Sequence, residues 1–254
     1  MQSKRIGYST LCFQNPPSVI GFASVVGKKE GEGPLAGYFD YINNDTSFGE
    51  KTWEKAESRM QKDALTIASN KANQPISAIQ YIFAGDLINQ CISSSFAIRE
   101  FKIPFFGLYG ACSTMAEGLG LAAMTIDGGY AALAAVLTSS HFCSAERQYR
   151  TPLEYGAQRA PTAQWTVTGS GCVLLSDNGP GPYITHFTAG KIIDLGITDT
   201  NNMGAAMAPA AHSTLLAFFQ DTNTQPSDYD LIVTGDLGKV GHAIVTDLLR
   251  DDGI

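Results

Sequence analysis

Two stretches of this chain resemble one another, and that repetition narrows the possible folds more than any other feature. Ser77-Ala78-Ile79-Gln80-Tyr81-Ile82-Phe83-Ala84-Gly85-Asp86-Leu87 is matched by Ser227-Asp228-Tyr229-Asp230-Leu231-Ile232-Val233-Thr234-Gly235-Asp236-Leu237. Each copy follows a helical segment, carries a short apolar run into Gly-Asp-Leu, and leads into another helical segment. Gly-Asp-Leu after a strand is common by itself; the shared context points to a duplicated α/β unit. Cys112 stands 26 residues after Asp86, and the same spacing from Asp236 runs past Ile254. The expectation is two α/β halves, 1–185 and 186–254, the second cut short.

The rest of the chain fits that class, because short apolar runs alternate with amphipathic segments. Strands are expected at Val19–Val26, Ala78–Ala84, Pro104–Tyr109, Ala131–Leu137 and Tyr229–Thr234. Trp165–Leu175 and Tyr183–Ala189 read as a paired antiparallel edge. Helices are expected over Lys51–Asn73, with Thr52 as its cap, and over Ser113–Ile126, Asn201–Phe219 and Lys239–Arg250. Ser144–Pro161 is polar and irregular, and long loops of that kind are often functional.

Composition closes off several classes. With 44% hydrophobic and 16% charged residues the chain is globular rather than disordered. A net charge of −7, and no basic run longer than Lys28-Lys29, speak against a nucleic-acid surface. The five cysteines are odd in number, widely spaced and without Cys-x-x-Cys, which suits a reducing compartment and gives neither a disulfide framework nor a zinc site. The four histidines have no metal-ligand spacing, and no metal or cofactor is expected. Nothing after Met1-Gln2-Ser3-Lys4-Arg5 reads as a signal peptide, and no run approaches the roughly 18 apolar residues of a membrane span. Gly235-x-x-Gly238-Lys239-Val240 lacks the Ser/Thr and the first glycine of a phosphate loop, and no Gly-x-Ser-x-Gly elbow occurs.

The chemistry-bearing segment is Gly110-Ala111-Cys112-Ser113-Thr114-Met115-Ala116-Glu117-Gly118-Leu119-Gly120, directly after the strand ending at Tyr109. A strand-to-helix turn puts Cys112 at a helix N-terminus, where free N–H groups and the dipole favour a thiolate. The small residues Gly118, Gly120, Ala122 and Ala123 let that helix pack closely and hold the turn rigidly. Free cysteines are often inert and buried; the turn and the repeat favour a functional centre at Cys112.

This segment resembles the nucleophile region of the thiolase and β-ketoacyl synthase superfamily, and Gly169-Ser170-Gly171-Cys172 resembles its glycine-rich strand. A closer resemblance is to one branch, the stage V sporulation protein AD family of endospore-forming bacteria. It is carried by Gly85-Asp86-Leu87-Ile88-Asn89-Gln90, Tyr109 to Glu117, Thr138-Ser139-Ser140-His141-Phe142 and Arg159-Ala160-Pro161-Thr162-Ala163-Gln164-Trp165, and spans about Val19 to Ile254. The resemblance implies a thiolase-like fold with duplicated βαβαβαββ halves, usually a homodimer. It also implies binding of dipicolinic acid, alone or with calcium, and its uptake into the developing spore with membrane proteins of the same operon. The location implied is cytoplasm or forespore, peripheral at the spore inner membrane. A dimer is expected to pair through Ala131–Leu137.

The sequence departs from the condensing enzymes at one place. Chain-initiating ketoacyl synthases carry a catalytic His just after the strand that corresponds to Tyr229–Thr234, where this chain has Gly235-Asp236-Leu237. Losing one such donor costs about two to three orders of magnitude in rate, so a retained pocket without turnover is expected. The rivals are an active acyltransferase or condensing enzyme using Cys112, and a scaffold for spore membrane proteins. Candidate ligand contacts are Cys112 and Ser113 at the turn, Asp86 at a strand end (or as a cap of the next helix), and His141. To these are added Arg147, Arg150 and Arg159, whose guanidinium forks suit a dicarboxylate.

Overall fold

The computed structural model describes residues 4–149, 162, 164–199 and 201–254. Arg150 and Arg159, and most of the segment expected to be a long loop, lie outside the described residues. The chain divides into two compact units: Asn15–Leu153 with Thr166–Ile184, and Met1–Gln14 with Glu154–Trp165 and Thr185–Ile254.

The larger unit is a six-stranded sheet in the order β4-β3-β8-β7-β5-β6, formed by β3 (Ser18–Gly27), β4 (Tyr41–Asn43), β5 (Tyr81–Gly85), β6 (Phe105–Gly107), β7 (Leu133–Ser140) and β8 (Gly169–Ser176). Strands β3 to β7 run in one direction, and β8 lies antiparallel between β3 and β7. Both faces are covered. On one, Ala56, Met60, Ala64, Leu65 and Ala68 of α2 (Trp53–Lys71) meet Val25, Ile82, Ala135, Leu137 and Leu174. On the other, Ala122 and Ile126 of α4 (Thr114–Asp127) meet Phe83, Ala134, Val136 and Leu175. Successive residues of β5, β7 and β8 therefore serve opposite cores, as the two-residue strand period requires. Thr52 caps α2, its Oγ1 accepting from the Lys55 N–H at 3.3 Å. The short helices α1 (Lys28–Gly31), α3 (Ile92–Ile98) and α5 (Phe142–Tyr149) follow β3, β5 and β7.

The second unit holds a three-stranded sheet, β1 (Arg5–Ile6), β2 (Thr10–Cys12) and β9 (His186–Thr188), with α6 (Met203–Thr222) and α7 (Gly238–Asp251). Ala208, Leu237 and Val245 form the helix-pair core. Asp221 on α6 accepts from the Tyr8 and Ser9 N–H groups and so holds the turn before β2.

Four sequence expectations are corrected. Residues 165–175 and 183–189 do not pair: β8 is an interior strand, with Leu174 and Leu175 both fully buried, and β9 pairs with β2 instead. Residues 229–234 form no strand among the described residues, and Leu231 and Val233 are 76% and 78% exposed; a strand needs a neighbour's backbone to satisfy its own. Ser144 lies in α5, so the polar stretch begins as helix. β7 is paired on both sides, by β5 and β8, and has no free edge for a dimer contact.

Candidate functional site

The carboxyl ends of β5, β6 and β7 emerge on one edge of the sheet, where parallel α/β sheets characteristically place their sites. Each end carries a residue singled out from the sequence: Asp86 after β5, Cys112 in the turn after β6, His141 after β7. The sheet, not chain proximity, brings them to a common edge.

Cys112 sits exposed in a 3-10 turn, Ala111–Ser113, that runs straight into α4. Ala111 has φ +48°, a left-handed conformation that a non-glycine residue holds only at some cost. The turn is closed locally, with the Ser113 Oγ donating to the Gly110 carbonyl at 2.9 Å. A Cβ at Gly110 would lie 2.4 Å from Glu117 Oε2 and 2.6 Å from Ser113 Oγ, so a larger residue there would have to turn both side chains aside. Behind the turn α4 is seated on the sheet at Gly118, where a Cβ would lie 2.5 Å from Val136 Cγ1. The result is a rigid platform that presents a thiol and the positive end of a 14-residue helix.

Asp86 is buried and its oxygens are spent within the protein. Oδ1 accepts from the Ile88 N–H at 2.9 Å, and Oδ2 from the Ser94 N–H at 2.8 Å and the Ser94 hydroxyl at 2.7 Å. It ties the Leu87–Cys91 loop to α3, and in that loop Gln90 and Cys91 both have positive φ. Cys91 Sγ lies 3.1 Å from the Leu108 carbonyl, which fastens the loop to the chain entering the Cys112 turn. Tyr149, at the end of α5, donates its hydroxyl to the Leu87 carbonyl at 2.5 Å. Burial first, and then the nearby Asp86 and Cys112, hold the Tyr149 phenol above its usual range. Tyr149 therefore ties the end of α5 to the Asp86 loop, a role with no signal in the sequence.

The remaining candidates are distributed differently. His141 is fully buried, with Nε2 donating to the Thr46 carbonyl at 2.8 Å and Nδ1 accepting from the Cys143 N–H at 3.2 Å. Burial pushes its pKa down, so the ring is a neutral pin for the 45–49 turn. Arg147 is exposed, pairs with Glu54 and lies over the Trp53 ring at 5.6 Å. Among the described residues, no three His, Cys, Asp or Glu side chains are grouped to hold a metal ion, and no helix is long and apolar enough to cross a membrane.

A buried polar network lies behind the site, also without a sequence signal, because its carboxylate looks like one more polar residue of an amphipathic helix. Glu57 and Gln61 follow Ala56 and Met60 on α2 and are equally buried. Glu57 Oε1 accepts from Ser139 Oγ at 2.8 Å, and Oε2 lies 3.1 Å from Ser144 Oγ. Gln61 Nε2 donates to Ser94 Oγ at 2.8 Å and to Ser139 Oγ at 2.7 Å. Desolvation, with Asp86 adding to it, pushes the Glu57 carboxyl up to about 8.

The same fold is found in solved structures. A cerulenin-bound OleA variant from Xanthomonas campestris matches with a TM-score of 0.65 at 17% identity, over 94% of this chain and 80% of that one. The 3-oxoacyl-(acyl carrier protein) synthase III, FabH, from Xanthomonas oryzae matches with a TM-score of 0.64 at 18% identity, over 96% and 83%. At such identities the likeness establishes the thiolase-like fold alone. In sequence the chain is 45% identical over 250 residues to the stage V sporulation protein AD of Bacillus subtilis strain 168, covering 98% of this chain and 74% of that protein. The sequence pattern of the stage V sporulation protein AD family matches residues 7–254. On that match, extending over nearly the whole chain, this thiolase-like protein belongs to the stage V sporulation protein AD family.

Proposed function

We propose that this sporulation protein binds dipicolinic acid at the Cys112 turn, without chemical turnover, and supports its uptake into the developing spore. The observation that supports this best is the exposed Cys112 turn, which runs straight into the N-terminus of α4. A pyridine dicarboxylate gains from the α4 dipole and the N–H groups of its first turn. A condensing reaction would need an imidazole donor for the developing oxyanion. His141, in the same unit as Cys112, has both ring nitrogens engaged within the protein. Arg150, next after Tyr149 in sequence, and Arg159 are the guanidinium partners proposed for the two carboxylates. Calcium as a companion ion, membrane proteins of the same operon as partners, and a position at the spore inner membrane complete the proposal.

Homodimerisation is part of it, now along β6 rather than β7. Strand β6 is an edge of the sheet, and Phe106 on it is 50% exposed. It borders a groove of about 590 Å³ lined by Tyr81, Phe83, Leu121, Met124 and Tyr130. An open edge beside an apolar groove is a liability unless covered.

Titration calorimetry with dipicolinate tests the binding directly; no heat at millimolar ligand overturns it. Incubation with acetyl- or malonyl-CoA separates out the enzymatic alternative. Release of CoA above a Cys112→Ala control would establish an acyl-transferring nucleophile instead.

A further inference from the structure

We propose that Glu57, locked between Ser139 and Ser144 and linked through Gln61 and Ser94 to Asp86, is a pH-sensitive latch on the Leu87–Cys91 loop. Loss of its proton weakens the hold of that loop on its side of the Cys112 turn.

The hydrogen-bond pattern closes with one proton on the Glu57 carboxyl. Oε2 then donates to Ser144 Oγ at 3.1 Å, and Ser144 Oγ passes its own proton to the His141 carbonyl, also at 3.1 Å. Ser139 Oγ donates to Oε1, Gln61 Nε2 donates to both Ser139 and Ser94, and Ser94 Oγ donates to Asp86 Oδ2. Each hydroxyl in the chain donates once and accepts once or more, as its chemistry allows. Gln61 Oε1 alone is left without a hydrogen bond.

Among the described residues, no cation is set against Glu57. On α2, Gln61 flanks it one turn away, and Glu54 on the other side is paired with Arg147 at the exposed rim. From α3 come Ser93 and Ser94, from β7 Ser139, and from α5 Ser144. Glu146 of α5 takes the Thr166 hydroxyl at 2.9 Å, and the His141 ring is engaged at Thr46. The charged group that acts on Glu57 is Asp86, of like sign. A second buried negative charge is therefore uncompensated, and the structure must relieve it by moving or by admitting water.

The Leu87–Cys91 loop is where relief is easiest. α2 and β7 are fixed by the fully buried Met60, Leu65 and Leu137. The loop carries two consecutive left-handed residues, Gln90 and Cys91, held only by their surroundings, and Asp86 is its anchor. Because Cys91 Sγ on this loop meets the Leu108 carbonyl, in the chain that enters the Cys112 turn, loosening the loop reshapes the site. That consequence for a ligand rests on the binding function proposed above; the latch itself does not need a ligand.

Hydrogen exchange on the ligand-free protein tests it. After correction for intrinsic pH dependence, peptides spanning 87–94 are expected to exchange at least tenfold faster at pH 9 than at pH 7, with a midpoint near the Glu57 value, while β7 stays protected. In Glu57→Gln the step is expected to vanish. Flat protection of the wild type from pH 7 to 9, or a step that survives in Glu57→Gln, overturns the proposal. Should Glu57→Gln not fold, Ser144→Ala decides: losing that hydroxyl is expected to shift the midpoint, and an unmoved midpoint overturns the latch. Absence of dipicolinate heat at pH 7 with the exchange step intact would sink only the ligand assignment.

Discussion

Glu57 holds its proton to about pH 8 in the folded protein, whereas an unperturbed glutamate titrates near 4.5. Between those values the native state binds a proton that the unfolded chain lacks, so this carboxyl contributes stability that is complete below pH 4.5 and disappears as pH rises to about 8. The limiting slope is about 1.4 kcal/mol per pH unit. Urea unfolding at pH 6 and pH 8 is expected to show the wild type losing stability over that interval while Glu57→Gln changes little; equal slopes for the two would refute the assignment. At Cys112 the exposed turn tolerates a larger side chain, so Cys112→Trp is expected to lower dipicolinate affinity at least tenfold with an unchanged melting temperature. Affinity equal to wild type would place the ligand elsewhere. Cys112 was legible from Gly-Ala-Cys at the end of an apolar run. Tyr149 and Glu57 were not, since a tyrosine after an arginine-bearing helix and a glutamate among helix residues carry no local mark of what they face.

At the scale of elements, the long helices α2, α4, α6 and α7 were readable from their periodic apolar positions, whereas the short α1, α3 and α5 were not. Thr52 was identified as the cap of α2 and is its cap; Thr52→Ala is expected to cost about 1 kcal/mol. Chemical denaturation will measure it. α4 depends on Gly118 to approach β7, so Gly118→Val is expected to destabilise the larger unit by about 1–3 kcal/mol through overpacking. No loss of stability in that variant would mean that α4 can shift away from Val136 freely. Strands were less legible. β3, β5 and β7 stood out as buried apolar runs, but β8, which begins Gly169-Ser170-Gly171, was read as an edge paired with Tyr183–Ala189. Those small residues instead suit a strand enclosed by neighbours on both sides. Tyr229–Thr234 shows the converse: strand composition without a neighbour yields no strand.

For the whole molecule, the exposed β6 edge sets the expected assembly. Phe106→Arg places a charge on that edge and is expected to convert a dimer into monomers in light scattering, with an unchanged far-ultraviolet circular dichroism spectrum. A wild-type monomer at micromolar concentration would remove β6 as a dimer contact. The dimer expectation attached to Ala131–Leu137 failed for a reason of scale: an apolar strand reads the same whether it lies inside a sheet or at its margin.

The sequence by itself determined the class of the fold, the family and the position of the Cys112 turn, because periodicity, the Gly-Asp-Leu repeat and the Cys112 segment are written in consecutive residues. It also determined the four long helices, through their apolar stripes. Only the tertiary structure decided the order of the strands, the burial of Glu57 against Asp86, and the occupation of both His141 nitrogens. Each of those depends on backbone partners and desolvation supplied by residues 30 to 140 positions away, such as Thr46 for His141 and Ser139 for Glu57. Distances of that kind have no local imprint, and they fix which polar groups stay free to meet a ligand.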